Sequence, residues 1–334
     1  MFILENQNYM NIFGFKLKVS RLVTIFGSGF MEILRDPVDH SKVKEITSEA
    51  IYFMNGQTYI RHKGIPVLID ERNSLFQVQE IVKSKPTTQN KSYRNQKNFK
   101  NFVRQKFLPS LSKDFKLNDR YKQLSNRMEN GFVLILGAGD KAAFYRQSFS
   151  KLKVIITDVH ALFDVDLILD AHQLPFEDNT FSAIVLPQVL EHTARPWVVV
   201  SELQRVIKPG GAILVEVPFS YPYHSMPYDF FRFTPTALRF LFSKCSMEKV
   251  ETPEGNWSGA ATLLSNSFIN LFSKRCFRIS AMVFTRLAFG WLKFIDRFIP
   301  NQKHLAPKGT ATIFVFDGIE RKDIDMLREI EENY

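Results

Sequence analysis

The chain has only two cysteines, Cys245 and Cys276, in 334 residues. They lie apart with no partners at metal-ligand spacing, so neither a disulfide framework nor a cysteine zinc cluster is implied, and a reducing compartment fits. A long apolar run is also missing. The N-terminal stretch from Ile12 to Phe30 is broken by Lys16, Lys18 and Arg21, leaving neither a signal-peptide core nor a spanning helix. Acid is scarce in one place: residues 83 to 127 hold 13 Lys or Arg against Asp114 and Asp119, a local net of +11. The whole-chain charge of +10 is therefore concentrated there, and the remainder is close to neutral. Glycine is absent between Asp70 and Arg127. With Tyr93, Phe99, Phe102, Phe107, Phe115 and Tyr121 interleaved, this segment either tracks phosphates or an anionic membrane surface, or is a solvated linker and lead-in helix. A hydrophobic content of 45% with 23% charged residues excludes disorder throughout, and the length suits one large domain plus a small one.

What is present is an ordered series of apolar runs. Phe132-Val133-Leu134-Ile135-Leu136 ends in Gly137-Ala138-Gly139-Asp140, and Lys153-Val154-Ile155-Ile156-Thr157 ends in Asp158, 21 positions after Gly137. A strand, a glycine turn, a helix, a second strand and a closing acid at that spacing form a half-Rossmann unit: the glycines admit a ligand close to the backbone and the acid accepts from ribose hydroxyls. Leu167-Ile168-Leu169, Ala183-Ile184-Val185-Leu186 and Ala212 to Val217 read as the third, fourth and fifth strands. Met247 to Thr252 reads as a sixth, and Thr310 to Phe316 as the last. Residues 279 to 299 read as one helix, apolar over most of its circumference, with Arg286, Gly290, Lys293 and Arg297 on a narrow stripe. It packs on the sheet or a second copy, or lies in a membrane interface.

The series continues with Asp170-Ala171-His172-Gln173-Leu174-Pro175-Phe176, Asp178-Asn179-Thr180-Phe181, Val189-Leu190-Glu191-His192 and Lys208-Pro209-Gly210-Gly211. In that order the segments resemble the class I S-adenosylmethionine-dependent methyltransferases, in a type 11-like domain, well over residues 128 to 260 and more loosely to 318. The resemblance implies an α/β fold, with a Rossmann-like seven-stranded methyltransferase sheet whose last strand returns antiparallel, and S-adenosylmethionine as cofactor. It places Gly137, Ala138 and Gly139 at the methionine end of the cofactor, Asp158 on the ribose, Asp170 and Ala171 beside the adenine with Leu174-Pro175-Phe176 as apolar wall, and Gln188 at the same strand edge. Asp140 is expected to cap the helix after the glycine turn, and Lys208 to Gly211 to be a turn between helix and strand. Two positions depart from the pattern: Ile135 stands where the family carries an acid, and Lys141 where it carries a third glycine. An Asn-Pro-Pro-Tyr-like amino-methylating signature is absent after the fourth strand, where Leu186-Pro187-Gln188-Val189 stands instead.

The loop from Phe219 to Thr234 leaves the fifth strand at the ligand-binding edge and is the substrate-side candidate. His224 is expected as a catalytic base, Asp229 as its orienter and Arg232 as an anchor for an anionic acceptor, the other reading being that the three merely order an aromatic loop. Of Gln188, Glu191 and His192, one is expected to touch cofactor or substrate, with His192 either a base or a cap of the next helix.

Ahead of this domain, Asp36 to Asp70 contains Asn55-Gly56 between apolar runs, a hairpin signal. Its ending, Gly64-Ile65-Pro66-Val67-Leu68-Ile69-Asp70, resembles the small zinc-ribbon-like module fused to or partnered with methyltransferases, the methyltransferase-activator type. In metal-bearing members two Cys-x-x-Cys pairs fall at Asp36/Asp39 and Tyr52/Asn55, and none of the four is cysteine here. A module without metal is expected, and no metal site elsewhere. The expected organisation is an N-terminal extension over 1–34, the degenerate module over 35–72, a basic linker and lead-in helix over 73–127, the methyltransferase domain over 128–320 and a tail over 321–334. The resemblance implies methylation of a small-molecule, glycan or lipid-linked hydroxyl in the cytoplasm, with peripheral contact to the inner face of a membrane and homodimerisation as further options and nucleic acid not expected. The alternative is a catalytically inactive methyltransferase-like scaffold or membrane-surface binding protein.

Overall fold

A computed structural model describes residues 9–12, 15–18, 29–83, 108–248, 250–298 and 306–333. Most of the basic segment, residues 84–107, lies outside the described residues, and so does the partner role expected of it. The chain divides into two interleaved units. The first comprises residues 1–85, 128–185 and 197–211, and the second residues 86–127, 186–196 and 212–334.

In the first unit, β1 (Tyr9–Ile12) and β2 (Phe15–Lys18) pair antiparallel. β3 (Val43–Ile46), β4 (Ala50–Phe53), β5 (Thr58–His62) and β6 (Ile65–Leu68) form an antiparallel meander. The Asn-Gly signal is met at the β4 to β5 turn, where Gly56 adopts φ +89° and Ala50 faces Ile60 across the pair. β7 (Phe132–Ile135), β8 (Lys153–Asp158) and β9 (Leu167–Leu169) are parallel neighbours, and β10 (Phe181–Pro187) lies on the other side of β7. These runs are continuous Val, Ile and Leu because a parallel sheet is covered on both faces. Leu134, Ile135, Ile155, Ile156 and Ile184 are fully buried. Gly131 enters β7 at φ +117°, and a Cβ there would lie 2.2 Å from Ser182 Oγ beside the register shift in β10, so only glycine fits.

The meander does not stand apart from this sheet. β6 pairs in parallel with β9, Val67 opposite Ile168 and Leu68 opposite Leu169. Asp36 and Asp39 both accept hydrogen bonds. Asp36, fully buried, accepts the backbone N–H of Val38 at 2.8 Å. Asp39 Oδ1 accepts from Asn55 Nδ2 at 2.9 Å, and that bond holds its carboxyl below the ordinary range.

The second unit is built on β11 (Ile207–Pro218), whose residues from Ala212 onward pair antiparallel with β14 (Gly309–Phe316). The expected sixth strand is two short ones, β12 (Cys245–Met247) and β13 (Glu251–Glu254), each antiparallel to β14. Pro253 lacks an N–H, and the register shifts between Glu251 and Glu254, so one continuous ladder cannot form. Lys208 to Gly211 belong to β11 itself, which follows the helix Pro196–Val206 without an intervening turn.

Arg120, on the helix Leu117–Asn126, is buried and ion-paired to Asp114, to Glu216 Oε1 at 3.0 Å and to Glu251 Oε2 at 2.8 Å. Tyr121 donates to Glu216 Oε2 at 3.2 Å. The expected helix over 279–299 is two, Arg275–Phe289 and Lys293–Phe298. The break falls after Gly290, where a Cβ would meet Arg286 O at 2.4 Å and Pro109 Cγ at 2.9 Å. The basic stripe points at the chain: Arg286 donates to Pro109 O at 3.3 Å and Lys293 to Ser110 O at 2.8 Å. Phe277, Phe284, Leu287, Trp291 and Phe298 remain exposed. Among the described residues no helix is long and apolar enough to cross a membrane.

Candidate functional site

The glycine turn of the first unit is shaped by its backbone. Gly137 and Gly139 adopt φ +68° and +55°, in the left-handed region that glycine enters without a Cβ penalty. Ala138 is buried and its N–H donates to Thr157 O at 3.0 Å, which ties the turn to the end of β8. Asp140 does not cap the next helix. That helix runs Ala142–Ser148 with Lys141 at its N-cap and no side-chain bond there, while Asp140 is exposed. Ile135, in place of the expected acid, is fully buried, and its carbonyl accepts from Thr157 Oγ1 at 2.9 Å.

Asp158 closes the turn. Its Oδ2 accepts the Gly139 N–H at 3.0 Å and its Oδ1 the His160 N–H at 2.9 Å. Burial pushes the carboxyl up from its ordinary value, against His160 and the backbone N–H groups that favour the anion. Each carboxylate oxygen can take a second hydrogen bond, so acceptor capacity for a ribose hydroxyl remains alongside these two.

Asp170 is engaged differently. Oδ2 accepts from Ser74 Oγ at 2.5 Å, and Oδ1 lies 2.7 Å from His172 Nδ1 and 3.0 Å from the His172 N–H. Burial raises its pKa, and the bonds from His172 and Ser74 outweigh that, leaving the carboxyl below its ordinary range. Ala171 is half-buried in the turn between them. The Leu174-Pro175-Phe176 segment is buried and held by a clamp that the sequence reading missed. Glu202 Oε2 accepts the Leu174 N–H at 2.8 Å, and Arg205 donates to Leu174 O at 2.8 Å and Phe176 O at 2.7 Å. The only signal available was the i, i+3 pairing of Glu202 and Arg205 on one helix.

The second unit brings the three proposed catalytic side chains together. Asp229, buried, receives Arg232 in a two-pronged pair, Nη1 to Oδ1 at 2.6 Å and Nη2 to Oδ2 at 2.8 Å. Oδ2 also accepts the His224 N–H at 2.7 Å and lies 3.1 Å from His224 Nδ1. Burial pushes Asp229 up, but these bonds outweigh it and keep it below the ordinary carboxylate range. The His224 imidazole is lowered by burial, with Asp229 opposing. Its Nδ1 also faces Pro222 O at 3.2 Å and the Arg232 Nη2 donor at 3.3 Å; a proton on Nδ1 would be accepted by Pro222 O and Asp229 and would leave Nε2 its lone pair.

Arg232, expected as an anion anchor, has its guanidinium engaged within the loop. Nε donates to Tyr221 O at 3.3 Å, Nη1 to Phe231 O at 2.7 Å and Nη2 to Pro222 O at 3.1 Å, in addition to the two bonds to Asp229. A guanidinium has five N–H groups, and all five are spent inside the loop.

Gln188 is exposed and adopts φ +59°, a conformation that costs a non-glycine residue about 1 to 3 kcal/mol and concentrates at ligand sites. Its N–H donates to Glu216 O at 2.8 Å. Glu191 follows in the short turn Leu190–His192, fully buried, with neither carboxylate oxygen hydrogen-bonded and its pKa pushed by burial to about 8. His192 does not cap a helix through its ring: Nδ1 bonds Tyr228 O, and burial lowers its pKa. The His192 and His224 rings pack edge to face with centroids 4.9 Å apart.

Residues 148–215 match the family model described as a methyltransferase domain. A ubiquinone/menaquinone biosynthesis C-methyltransferase UbiE of Cellvibrio japonicus is 40% identical over 67 residues, 19% of this chain and 26% of that protein. A demethylmenaquinone methyltransferase of Bacillus licheniformis is 25% identical over 172 residues, 46% of this chain and 74% of that protein. The phosphoethanolamine N-methyltransferase 2 of Haemonchus contortus, solved with phosphomonomethylethanolamine and S-adenosylhomocysteine, is 16% identical with a TM-score of 0.41, over 67% of this chain and 58% of that one. The chain spans about a quarter of the length of the first of these relatives. Over residues 148–215, then, the chain is similar to the methyltransferase domain.

Proposed function

We propose that the protein is an S-adenosylmethionine-dependent methyltransferase acting on a hydroxyl of a small-molecule, glycan or lipid-linked acceptor. The observation that carries this reading is the glycine turn closed by Asp158: two left-handed glycines without side chains, and a buried carboxylate with acceptor capacity left, fit an adenosyl ligand's ribose and amino-acid ends. The methyltransferase-domain match over 148–215 supports methyl transfer; the two relatives are named as quinone-pathway methyltransferases, the first a C-methyltransferase, and do not bear on a hydroxyl acceptor. Gly137, Ala138, Gly139 and Asp158 would hold the cofactor, with Ala171 at the adenine. Asp170 would act through its carboxylate's remaining capacity, since Ser74 and His172 already engage both oxygens. Gln188 would contact cofactor or acceptor from its strained turn.

Bound S-adenosylmethionine supplies an electrophilic methyl on a sulfonium and leaves as S-adenosylhomocysteine. His224 Nε2 takes the proton of the acceptor hydroxyl, and Asp229, with Pro222 O, holds Nδ1 and stabilises the imidazolium that results. Arg232 fixes Asp229 and the Tyr221 to Pro222 backbone, which sets the position of the imidazole. The degenerate module over 35–72 extends the sheet through β6 and lends Ser74, just beyond it, to Asp170.

Calorimetric titration of the purified chain with S-adenosylhomocysteine, followed by transfer from labelled S-adenosylmethionine to a panel of hydroxyl acceptors, tests the proposal. Saturable binding with transfer is expected. Failure to bind the cofactor overturns it in favour of a non-catalytic scaffold, the reading that Ile135 and Lys141 motivate.

A further inference from the structure

Glu191, His192 and His224 are the one group among the described residues in which three potential metal ligands converge, each offering an atom within 4.8 Å of the others. The group rests on more than proximity. Glu191 is fully buried, and both its carboxylate oxygens lack a hydrogen-bond partner. A buried carboxylate with nothing bonded to it is costly and calls for a partner. Its Oε1 lies 3.7 Å from His192 Nε2, too far for a hydrogen bond and close enough to share an ion.

The imidazoles are held as metal-binding imidazoles are held. His192 Nδ1 is fixed by Tyr228 O, and His224 Nδ1 lies against Pro222 O at 3.2 Å, the Asp229 carboxylate at 3.1 Å and Arg232 Nη2 at 3.3 Å. Anchoring one ring nitrogen to a carbonyl or carboxylate fixes the tautomer and leaves the other nitrogen's lone pair for a metal. Bond lengths of ~2.0 to 2.2 Å to each ligand would need the three groups to close by about an ångström, within the reach of side-chain rotation. Arg232, the nearest cation, is neutralised by its two-pronged pair with Asp229 and does not oppose a positive ion in full. Both histidines are half-buried, so one side of the group stays open to exchangeable ligands.

We propose that Glu191, His192 and His224 form a two-histidine, one-carboxylate site for a divalent transition-metal ion, with Asp229 and the Pro222 and Tyr228 carbonyls as its supporting shell. Two imidazoles and a carboxylate with open positions suit zinc or ferrous iron over magnesium or calcium, which prefer all-oxygen sets. The inference rests on the proposed acceptor site in one respect. His224 Nε2 cannot hold an ion and accept a proton at once, so metal occupancy and the base role exclude each other.

The test uses the full-length chain, stripped with chelator and dialysed. Titration with Co²⁺ alone, followed by its visible absorption, and with Zn²⁺ alone, followed by heat, should each saturate at one equivalent with micromolar affinity or tighter. Glu191→Gln and His192→Ala should weaken binding tenfold or more, and Asp36→Ala should leave it unchanged. Absence of saturable binding by the wild type, or equal affinity in all four proteins, overturns the proposal. Glu191→Gln conserves volume and lowers the chance of misfolding, and circular dichroism with S-adenosylhomocysteine titration on the same samples reports folding separately. Metal binding without cofactor binding would sink the methyltransferase reading alone, and cofactor binding without metal binding would sink this one alone.

Discussion

Replacing Asp158 with alanine separates two roles that one carboxylate is proposed to hold. In the free protein it accepts the Gly139 and His160 N–H groups at 3.0 and 2.9 Å from a position only 7% exposed. Hydrogen bonds to a charged group are worth about 1.5 to 3 kcal/mol each, but the carboxyl's raised pKa shows that burial outweighs what they give the anion. The stability loss expected in urea unfolding is that of leaving the Gly139 and His160 N–H groups without their acceptor, about 1 to 3 kcal/mol. The ribose contact is a further loss, about 1.5 to 3 kcal/mol of cofactor binding, or roughly 10- to 150-fold in the dissociation constant for S-adenosylhomocysteine. The two readouts are independent. A folded variant with an unchanged dissociation constant refutes the ribose assignment, and an unchanged unfolding free energy refutes the idea that Asp158 holds the glycine turn shut.

His224→Ala should lower turnover by about 10²-fold or more with cofactor affinity nearly unmoved, and full turnover in the variant would reduce His224 to a loop-ordering residue. Because burial lowers the folded imidazole's pKa, His224 stays neutral to a more acidic pH than a free histidine. The acid limb of kcat/KM, measured in chelator, should therefore fall below the ordinary value of about 6.5, and the stability His224 contributes is present above that value and lost as pH falls through the folded pKa. Asp229→Asn removes an influence that raises His224, so it should move the limb further into acid; a shift towards neutrality would contradict the pairing. Arg120→Met should cost about 3 to 5 kcal/mol by leaving buried Glu216 uncompensated, with part regained in the double variant with Glu216→Gln, and a loss below about 1 kcal/mol would refute the network's role. Residues 35–72 are expected to hold no zinc, and a stoichiometric zinc signal lost on Asp36→Ala would show that Asp36 and Asp39 are ligands and not the turn acceptors described above.

The central strands were legible because their burial is written into composition. Runs such as Val133 to Ile135 and Val154 to Ile156 are apolar at every position, which fits a sheet covered on both faces and little else. Turn chemistry was local at one point, where Asn55-Gly56 made the hairpin, but the cap expected of Asp140 did not form. Readings failed where a distant contact decided the outcome. Apolar periodicity over 279–299 carries no trace of Pro109, against which Gly290 breaks the helix. Nothing near residue 35 announces that β6 will add to β9, 100 residues away. Glu191 was visible as a motif letter, but its buried, unbonded state depends on the loop that returns through Tyr228 and Phe230, whose N–H donates to Glu191 O at 2.9 Å.

The acceptor loop's charges cancel among themselves, and this bears on what it recognises. Asp229 and Arg232 neutralise each other at 2.6 and 2.8 Å, and the remaining guanidinium donors go to the carbonyls of Tyr221, Pro222 and Phe231. Recruiting Arg232 to an anionic acceptor would break bonds that also position His224, so affinity would be gained at the expense of the base. What the loop leaves exposed is Tyr223, Met226 and Phe230, at 61%, 56% and 43%. Aromatic and thioether surfaces favour apolar rings and chains over anions, with a tyrosine hydroxyl to orient them. If this loop holds the proposed acceptor, an uncharged molecule with an apolar body is expected to bind better than a phosphorylated one. On the proposed mechanism, the pairing that occupies Arg232 is also what positions the His224 imidazole.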